Sequence, residues 1–474
     1  MPQRPWRQLA FVLGEAALSL VSSGVLFIII SRVSGPELLG TYALAFAWLM
    51  LFQGLSSFGI PEYLMREVGS YGRDATKYVF HAMLLGLGSG VVSLGLMLVA
   101  VRLMGYPTYV VHVITVSGLA LIPAFLTSAC RSVFLALRQM HLTFMAMLVE
   151  VAIVMSASLH LLLSGYGALA LMTTLVIAKT ISASLALTLV YGLSLSARAS
   201  FDPALLIRMA RAVFAFGLGS MLGMLTMRIN MIMASAWVGI GELGHFAAAT
   251  KLMEVGMIIP NLFVQLLMTR MAHSFNAQGN RDPNQFGAWY QVLLALVVPI
   301  CVGCWIFAGP ILEILFGPSF GNARWVLRIL MIYLIIESAD SVTSVILKAA
   351  HKQRADVAFL AFNPLMNILL NLLLLPTLGT IGAAIGRVGG VAVSAVLRSV
   401  LIARTLTAVN WFHFALKPTM ISIGVGLVCY ALHDTAAPVW LLLLYAALNA
   451  VLLRVISGLS PAVIKDMMSP SSLN

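Results

Sequence analysis

The chain has 474 residues, of which 61% are hydrophobic and only 9% charged, with a formal net charge of +12. So little charge cannot cover the surface of a water-soluble domain, which excludes a soluble enzyme and a soluble nucleic-acid-binding protein whose basicity would explain the charge. The four cysteines (Cys130, Cys301, Cys304 and Cys429) all lie in or at the ends of apolar runs, which excludes a disulfide framework.

In chain order, Arg4 and Arg7 precede an apolar run over 9–31 that is too long for a signal-peptide core and is read as a retained first span. Similar runs follow at 41–63, 78–104, 109–131, 142–163 and 166–191, each long enough to cross about 30 Å of hydrocarbon. The break at 192–206, with Asp202 and Pro203, reads as a linker between halves. Six more runs occupy 210–238, 244–268, 286–308, 324–347, 357–375 and 379–403, and two others lie at 416–432 and 437–457. The fold class expected is therefore all-α: a polytopic membrane protein with about fourteen transmembrane helices. It divides into an N-lobe (1–196), a C-lobe (197–408) and two additional helices with a short tail (409–474). Cys301 and Cys304 form a C-x-x-C, but no other Cys or His in that run completes a metal site; they are read as small core hydrophobes, and no metal or cofactor is expected.

Placing the N-terminus in the cytoplasm sorts the basic residues. Twenty of the 28 Lys and Arg then fall in cytoplasmic segments, and four (Arg32, Arg102, Arg324 and Arg328) fall on the opposite side. Lys179, Arg228, Lys251 and Arg387 stay within spans. This asymmetry predicts a cytoplasmic location for both termini. The halves also resemble each other: the segment Ser31–Ala45 aligns with Ser235–Ala249, Arg66 with Arg270, Arg138-Gln139 with Lys352-Gln353, and Gly167-Ala168 with Gly382-Ala383. Parallel repeats of this kind commonly place substrate between two lobes near mid-membrane.

The segment Gly35-Pro-Glu-Leu-Leu-Gly-Thr-Tyr-Ala-Leu-Ala45, followed by Phe58-Gly-Ile-Pro61 and Leu64-Met-Arg-Glu-Val68, resembles the opening of the polysaccharide (O-antigen or exopolysaccharide) flippases of the multidrug/oligosaccharidyl-lipid/polysaccharide exporter superfamily. Pro310-Ile-Leu-Glu-Ile-Leu-Phe-Gly317 and the Asn367/Asn371/Pro376/Gly379/Gly382 pattern are similar to the same family. The resemblance implies alternating access by two six-helix lobes in a bacterial inner membrane. The implied cargo is a polyprenyl-diphosphate-linked oligosaccharide, with membrane lipids as surroundings, H+ or Na+ as candidate coupling ion, and a polysaccharide polymerase as candidate partner. No nucleic acid and no cofactor are implied. The last two spans, which carry almost no polar residues, are candidates to line a groove for the lipid.

Candidate site residues are the ionisable and amide side chains left inside the spans. Nine of them (Glu15, Glu150, Lys179, Arg228, Lys251, Glu254, Glu337, Asp340 and Arg387) would together cost on the order of 25 kcal/mol if they faced lipid. Several must therefore face a cavity or one another. Arg228, with Asn230 nearby, is the first candidate for diphosphate or an acidic sugar, because a guanidinium binds such oxygens bidentately; an interhelical ion pair is the competing reading. Lys251 can line a cavity or neutralise Glu254 at i+3, and Lys179 and Arg387 can serve either cavity or packing. Asn363, Asn367 and Asn371 form an i, i+4, i+8 stripe suited to sugar hydroxyls or to helix–helix hydrogen bonds. Glu15, Glu337 and Asp340 are candidates for ion coupling, or for pairing with the bases.

Three other functions compete with the flippase of repeat units. A multidrug or cation antiporter would need cavity-facing acids, and Glu15 and Glu150 keep that reading open. A lipid-linked peptidoglycan-precursor flippase shares the same physics. A membrane-embedded polymerase or ligase would need a reactive constellation on a sizeable outer loop, and the sequence offers only short loops and an isolated His433-Asp434 pair.

Overall fold

The computed structural model describes residues 5–193, 201–278, 283–431 and 438–456, and among these all regular structure is helical. Arg4, Arg198, Arg281, His433, Asp434 and Lys465 lie outside the described residues, as do residues 194–200 of the 192–206 break. Contacts divide the chain into two compact units, residues 1–247 and 248–474.

The first unit opens with α1 (Pro5–Ser57), which is two spans in one. At Gly35 the backbone takes φ 77° and ψ −170°, a conformation that a side chain would strain. Pro36 then starts the second arm, where a missing N–H costs no helical bond. The arms run back along each other, and the Phe27 and Tyr42 rings meet edge-on at 5.9 Å. The second arm ends at Ser57, short of the expected residue 63, because Phe58 and Gly59 turn the chain with positive φ and Pro61 begins a new helix.

That helix, α2 (Ile60–Tyr71), is amphipathic. Ile60, Tyr63, Leu64 and Val68 are buried at i, i+3, i+4 and i+8, whereas Met65, Arg66 and Tyr71 are exposed, the pattern of a helix lying along an interface. Next come α3 (Thr76–Leu103), α4 (Thr108–Gly118) and α5 (Leu121–Ala136); α4 and α5 together make the expected fourth span, broken at Leu119-Ala120. The unit continues with α6 (Met140–Leu163), α7 (Ala168–Gly192) and α8 (Pro203–Ala234), which Asp202 caps by accepting from the Ala204 and Leu205 amides. Sequence groups α8 with the second half; in the structure it packs on α1, α2 and α3. Leu64, Phe125, Val133, Phe134 and Met209 are at the centre of the apolar core that results.

Helix α9 (Ile240–Gly256) crosses the boundary between units. The second unit continues with α10 (Ile258–Gln278), α11 (Pro283–Ile306), the short α12 (Ala308–Phe316) and α13 (Arg324–Ala349). The last three helices are α14 (Gln353–Thr405), α15 (Trp411–Ala431) and α16 (Pro438–Ile456). Like α1, α14 is a hairpin, reversed at Gly379 (φ 54°, ψ −135°). Ten helical stretches are long and apolar enough to cross a membrane. Because α1 and α14 each supply two arms, and α8 and α16 add shorter apolar stretches, the helices account for the fourteen expected spans. The chain is a multi-pass membrane protein.

The repeat is visible in backbone geometry. After α5, Arg138 sits at φ 58°, and the Arg138 and Gln139 amides donate to Leu135 O and Phe134 O. After α13, His351 sits at φ 58°, and the His351 and Lys352 amides donate to Lys348 O and Leu347 O. Both are Schellman-type helix ends. The equivalent pair is thus Arg138-Gln139 with His351-Lys352, one residue away from the register read in the sequence.

Candidate functional site

Three polar faces converge inside the first unit. On the first arm of α1, Glu15, Ser19, Ser22 and Ser23 fall at i, i+4, i+7 and i+8 and share one face. On α5, Thr127, Ser128 and Arg131 do the same, and on α6, Thr143, Met147 and Glu150. With Lys179 from α7 and Gln53 from the second arm of α1, these residues line a cavity of about 370 Å³.

Two ion pairs organise its charge. Arg131 Nε lies 2.8 Å from Glu15 Oε1, and Lys179 Nζ donates to Glu150 Oε1 at 2.9 Å. Both acids and Lys179 are largely sheltered, while the Arg131 side chain remains 46% exposed and marks an opening. The lining therefore carries two cations and two anions. Tyr42, Phe46 and Phe134 add aromatic surface. The Thr143 hydroxyl and the Gln53 amide oxygen are buried and find no hydrogen-bond partner among the described residues. Thr143 is itself 6% exposed.

The structure thus brings Glu15 and Lys179 to one cavity, together with Glu150. Arg228, on α8, is not among the lining residues but adjoins one of them, its guanidinium carbon 5.7 Å from the centroid of the Phe46 ring. Asn230, two residues on, is buried.

In the second unit the remaining candidates are built into local packing. Lys251 is buried on α9 and donates to Glu254 Oε2 at 3.1 Å, one turn along. Arg387, 1% exposed, lies over the Tyr333 ring with its guanidinium carbon 4.6 Å from the centroid. Glu337, one turn beyond Tyr333 on α13, is half-buried. Asp340 is surrounded by donors: Thr343 Oγ1 at 3.0 Å, Ser394 Oγ at 3.1 Å and the Arg398 guanidinium. Arg398 also donates from Nε to Asp356 Oδ1 at 2.9 Å, and Lys348 Nζ is 3.5 Å from Asp356 Oδ2.

The Asn363, Asn367 and Asn371 stripe faces the other arm of its own hairpin, where Gly382, Gly386, Gly390, Ser394 and Arg398 recur every four residues. A Cβ on Gly390 would lie 2.7 Å from Asn363 Oδ1 and 2.9 Å from Asn363 O. Asn371 Nδ2 donates to Asn367 Oδ1 at 3.0 Å. In this structure the amides serve close helix–helix approach.

Sequence reasoning sorted Arg131 and Arg398 with the cytoplasmic basic residues and did not single out Asp356. Each falls within the last turns or first turn of a helix and reaches inward. The signal available was the shared face: Glu15 with three serines at helical spacing, and Ser394-Arg398 in register with the glycines.

Comparison with solved structures shows which known folds this helical membrane protein, with its broken hairpin spans and sheltered ion pairs, is similar to. The fold is similar to that titled lipid II flippase MurJ in an inward closed conformation (TM-score 0.74, 13% identity, covering 95% of this chain and 100% of that one). It is also similar to an inward-facing multidrug resistance MATE family transporter of the MOP superfamily (TM-score 0.68, 17% identity, 82% and 95% covered). A third similar structure is a MOP superfamily transporter from Pyrococcus furiosus Vc1 (DSM3638), whose title reports reverse polarity of the binding pocket (TM-score 0.58, 16% identity, 83% and 93% covered). No curated protein matches the sequence. The family model described as polysaccharide biosynthesis protein matches residues 17–270, more than half of the chain, and the chain belongs to that family.

Proposed function

We propose that the protein is a flippase that carries polyprenyl-diphosphate-linked oligosaccharide repeat units across a bacterial cytoplasmic membrane by alternating access, with both termini in the cytoplasm. The observation that carries this reading is the cavity that holds two ion pairs and several hydroxyls within an otherwise apolar bundle, in a chain of the polysaccharide biosynthesis family. Sugars and diphosphate cannot cross hydrocarbon unaided, and a sheltered polar chamber lowers that barrier. Arg228 is the proposed contact for diphosphate.

A second reading, transport of a lipid-linked peptidoglycan precursor, is favoured by the likeness to the lipid II flippase along 95% of the chain. The test is flipping in proteoliposomes of polyprenyl-diphosphate oligosaccharide against lipid II, scored by outer-leaflet head groups, for wild type and Arg228→Ala. Movement of the oligosaccharide lipid that collapses in a folded Arg228→Ala variant supports both cargo and contact. Equal flipping by the variant removes Arg228 from the site. Movement of lipid II alone selects the second reading, and failure of folded wild type to move either lipid overturns the flippase.

A further inference from the structure

We infer that the cavity within the first unit is a neutral-sugar subsite and not a phosphate site. The inference deepens the flippase reading and rests on it for the identity of the cargo.

The charge arrangement separates the two chemistries. A diphosphate would need Arg131 and Lys179, yet each already has a carboxylate oxygen within 2.9 Å. To bind, it would have to displace Glu15 and Glu150 while leaving both acids beside its own oxygens, a like-charge arrangement in a poorly screened site. An organic cation meets the mirror-image problem, because both acids are already engaged. A neutral polyol meets neither. Its hydroxyls can donate to carboxylate oxygens not used by the ion pairs and accept from spare Lys179 and Arg131 N–H groups, leaving the net charge of the site at zero.

The uncharged lining fits the same guest. Serine and threonine residues of α1, α5 and α6 line one volume; Ser22, Ser23 and Thr127 donate their protons to backbone carbonyls of their own helices, which leaves these oxygens as acceptors for a guest hydroxyl. The Thr143 hydroxyl, on a residue nine-tenths buried, and the Gln53 amide oxygen have no hydrogen-bond partner among the described residues. Both residues line the same cavity, from α1 and α6, where a guest hydroxyl can supply the missing hydrogen bonds. Phe46, half-buried on the lining, offers a ring against which the C–H side of a pyranose can rest. A volume of about 370 Å³ is in the range of small-molecule sites and takes a sugar or two, not a whole repeat unit. This subsite would therefore read part of the head group.

The test uses the full-length protein in proteoliposomes with the four native cysteines replaced and one reporter, Ser128→Cys, on the cavity wall; Ser23→Cys, on another helix, is the second reporter. Maleimide labelling rates are measured with methyl glycosides of neutral hexoses and N-acetylhexosamines, with a methyl uronate, and with inorganic diphosphate. At least one neutral glycoside is expected to slow labelling at both reporters, with the uronate and diphosphate weaker. Thr143→Val, which removes the hydroxyl at nearly constant volume, is expected to raise the glycoside concentration needed by about fivefold, the equivalent of one hydrogen bond, with Thr143→Ser restoring it. Protection by diphosphate at lower concentration than any neutral glycoside overturns the proposal, as does labelling that no glycoside slows. The subsite and the flippase fail separately. Glycoside protection without flipping of any lipid-linked oligosaccharide leaves the subsite standing and removes the flippase; flipping without protection does the reverse.

Discussion

Gly40 and Gly244 face each other in a reciprocal contact: a Cβ on Gly40 would overlap the Ile240 carbonyl oxygen, and a Cβ on Gly244 would overlap the Pro36 carbonyl oxygen. Both lie in the first unit. In the repeat alignment, 36 corresponds to 240 and 40 to 244, so one interaction is used twice, once from each side. The absence of side chains lets two helix starts approach to backbone contact, as small residues do between membrane helices. Gly40→Ala and Gly244→Ala are each expected to destabilise this state by about 1–3 kcal/mol, because the obstruction is backbone and cannot swing away. Combining them should cost less than the sum, since either change already separates the helices. Thermal unfolding of the purified single and double variants checks this; an unshifted single variant would show that the contact is looser than described.

Around Arg398 the expectation is a penalty from an unbalanced charge. Arg398→Met leaves Asp340 and Asp356 buried without their shared partner and should cost about 3–5 kcal/mol. Arg398→Lys should recover only part of it, because one ammonium cannot fork between two carboxylates as a guanidinium does. Full recovery by lysine in a detergent unfolding series would contradict the two-carboxylate geometry.

The glycines of α14 are expected to differ among themselves. A Cβ on Gly382 would lie 2.5 Å from Leu374 O, and one on Gly390 would lie 2.9 Å from Asn363 O, both rigid backbone. A Cβ on Gly389 meets only the Leu370 side chain, whose Cδ1 can rotate aside. Alanine at 382 or 390 should therefore lower yield and melting temperature, by about 1–3 kcal/mol in stability, with little effect at 389. Similar losses at 389 and 390 would refute the packing register.

For the Lys179–Glu150 pair, reversing one charge should be far worse than exchanging both. Lys179→Glu places two acids together in a sheltered site, whereas Lys179→Glu combined with Glu150→Lys restores attraction. The readout is the folded fraction by gel filtration. A double exchange no better than the single change would argue that orientation, and not charge balance, holds α6 to α7.

The sequence was legible where physics is local. Span lengths, the hairpin at Gly35 and the recurrence of the halves follow from hydropathy and glycine, and the all-α membrane fold emerges from them. What it concealed depends on which residues meet. Arg131 and Arg398 sort with the cytoplasmic charges because hydropathy assigns a residue to a depth and not to a partner. The asparagine stripe could have faced sugar or helix, and only the opposing Gly386 and Gly390 decide its packing. Glu15 became interpretable once Arg131, 116 positions later by subtraction of their numbers, was seen 2.8 Å away.

That separation bears on how the chain is made. The first span must enter the membrane carrying Glu15 before Arg131 has been synthesised, an interval of roughly 10 s at ordinary elongation rates. Until then an unpartnered acid costs about 2.5–3.5 kcal/mol in hydrocarbon. By contrast, Glu150 and Lys179 lie on consecutive spans and can enter together as an already neutral pair. The span that carries Glu15 thus settles only when the span that carries Arg131 arrives, which makes insertion of the first unit a concerted event extending over several helices.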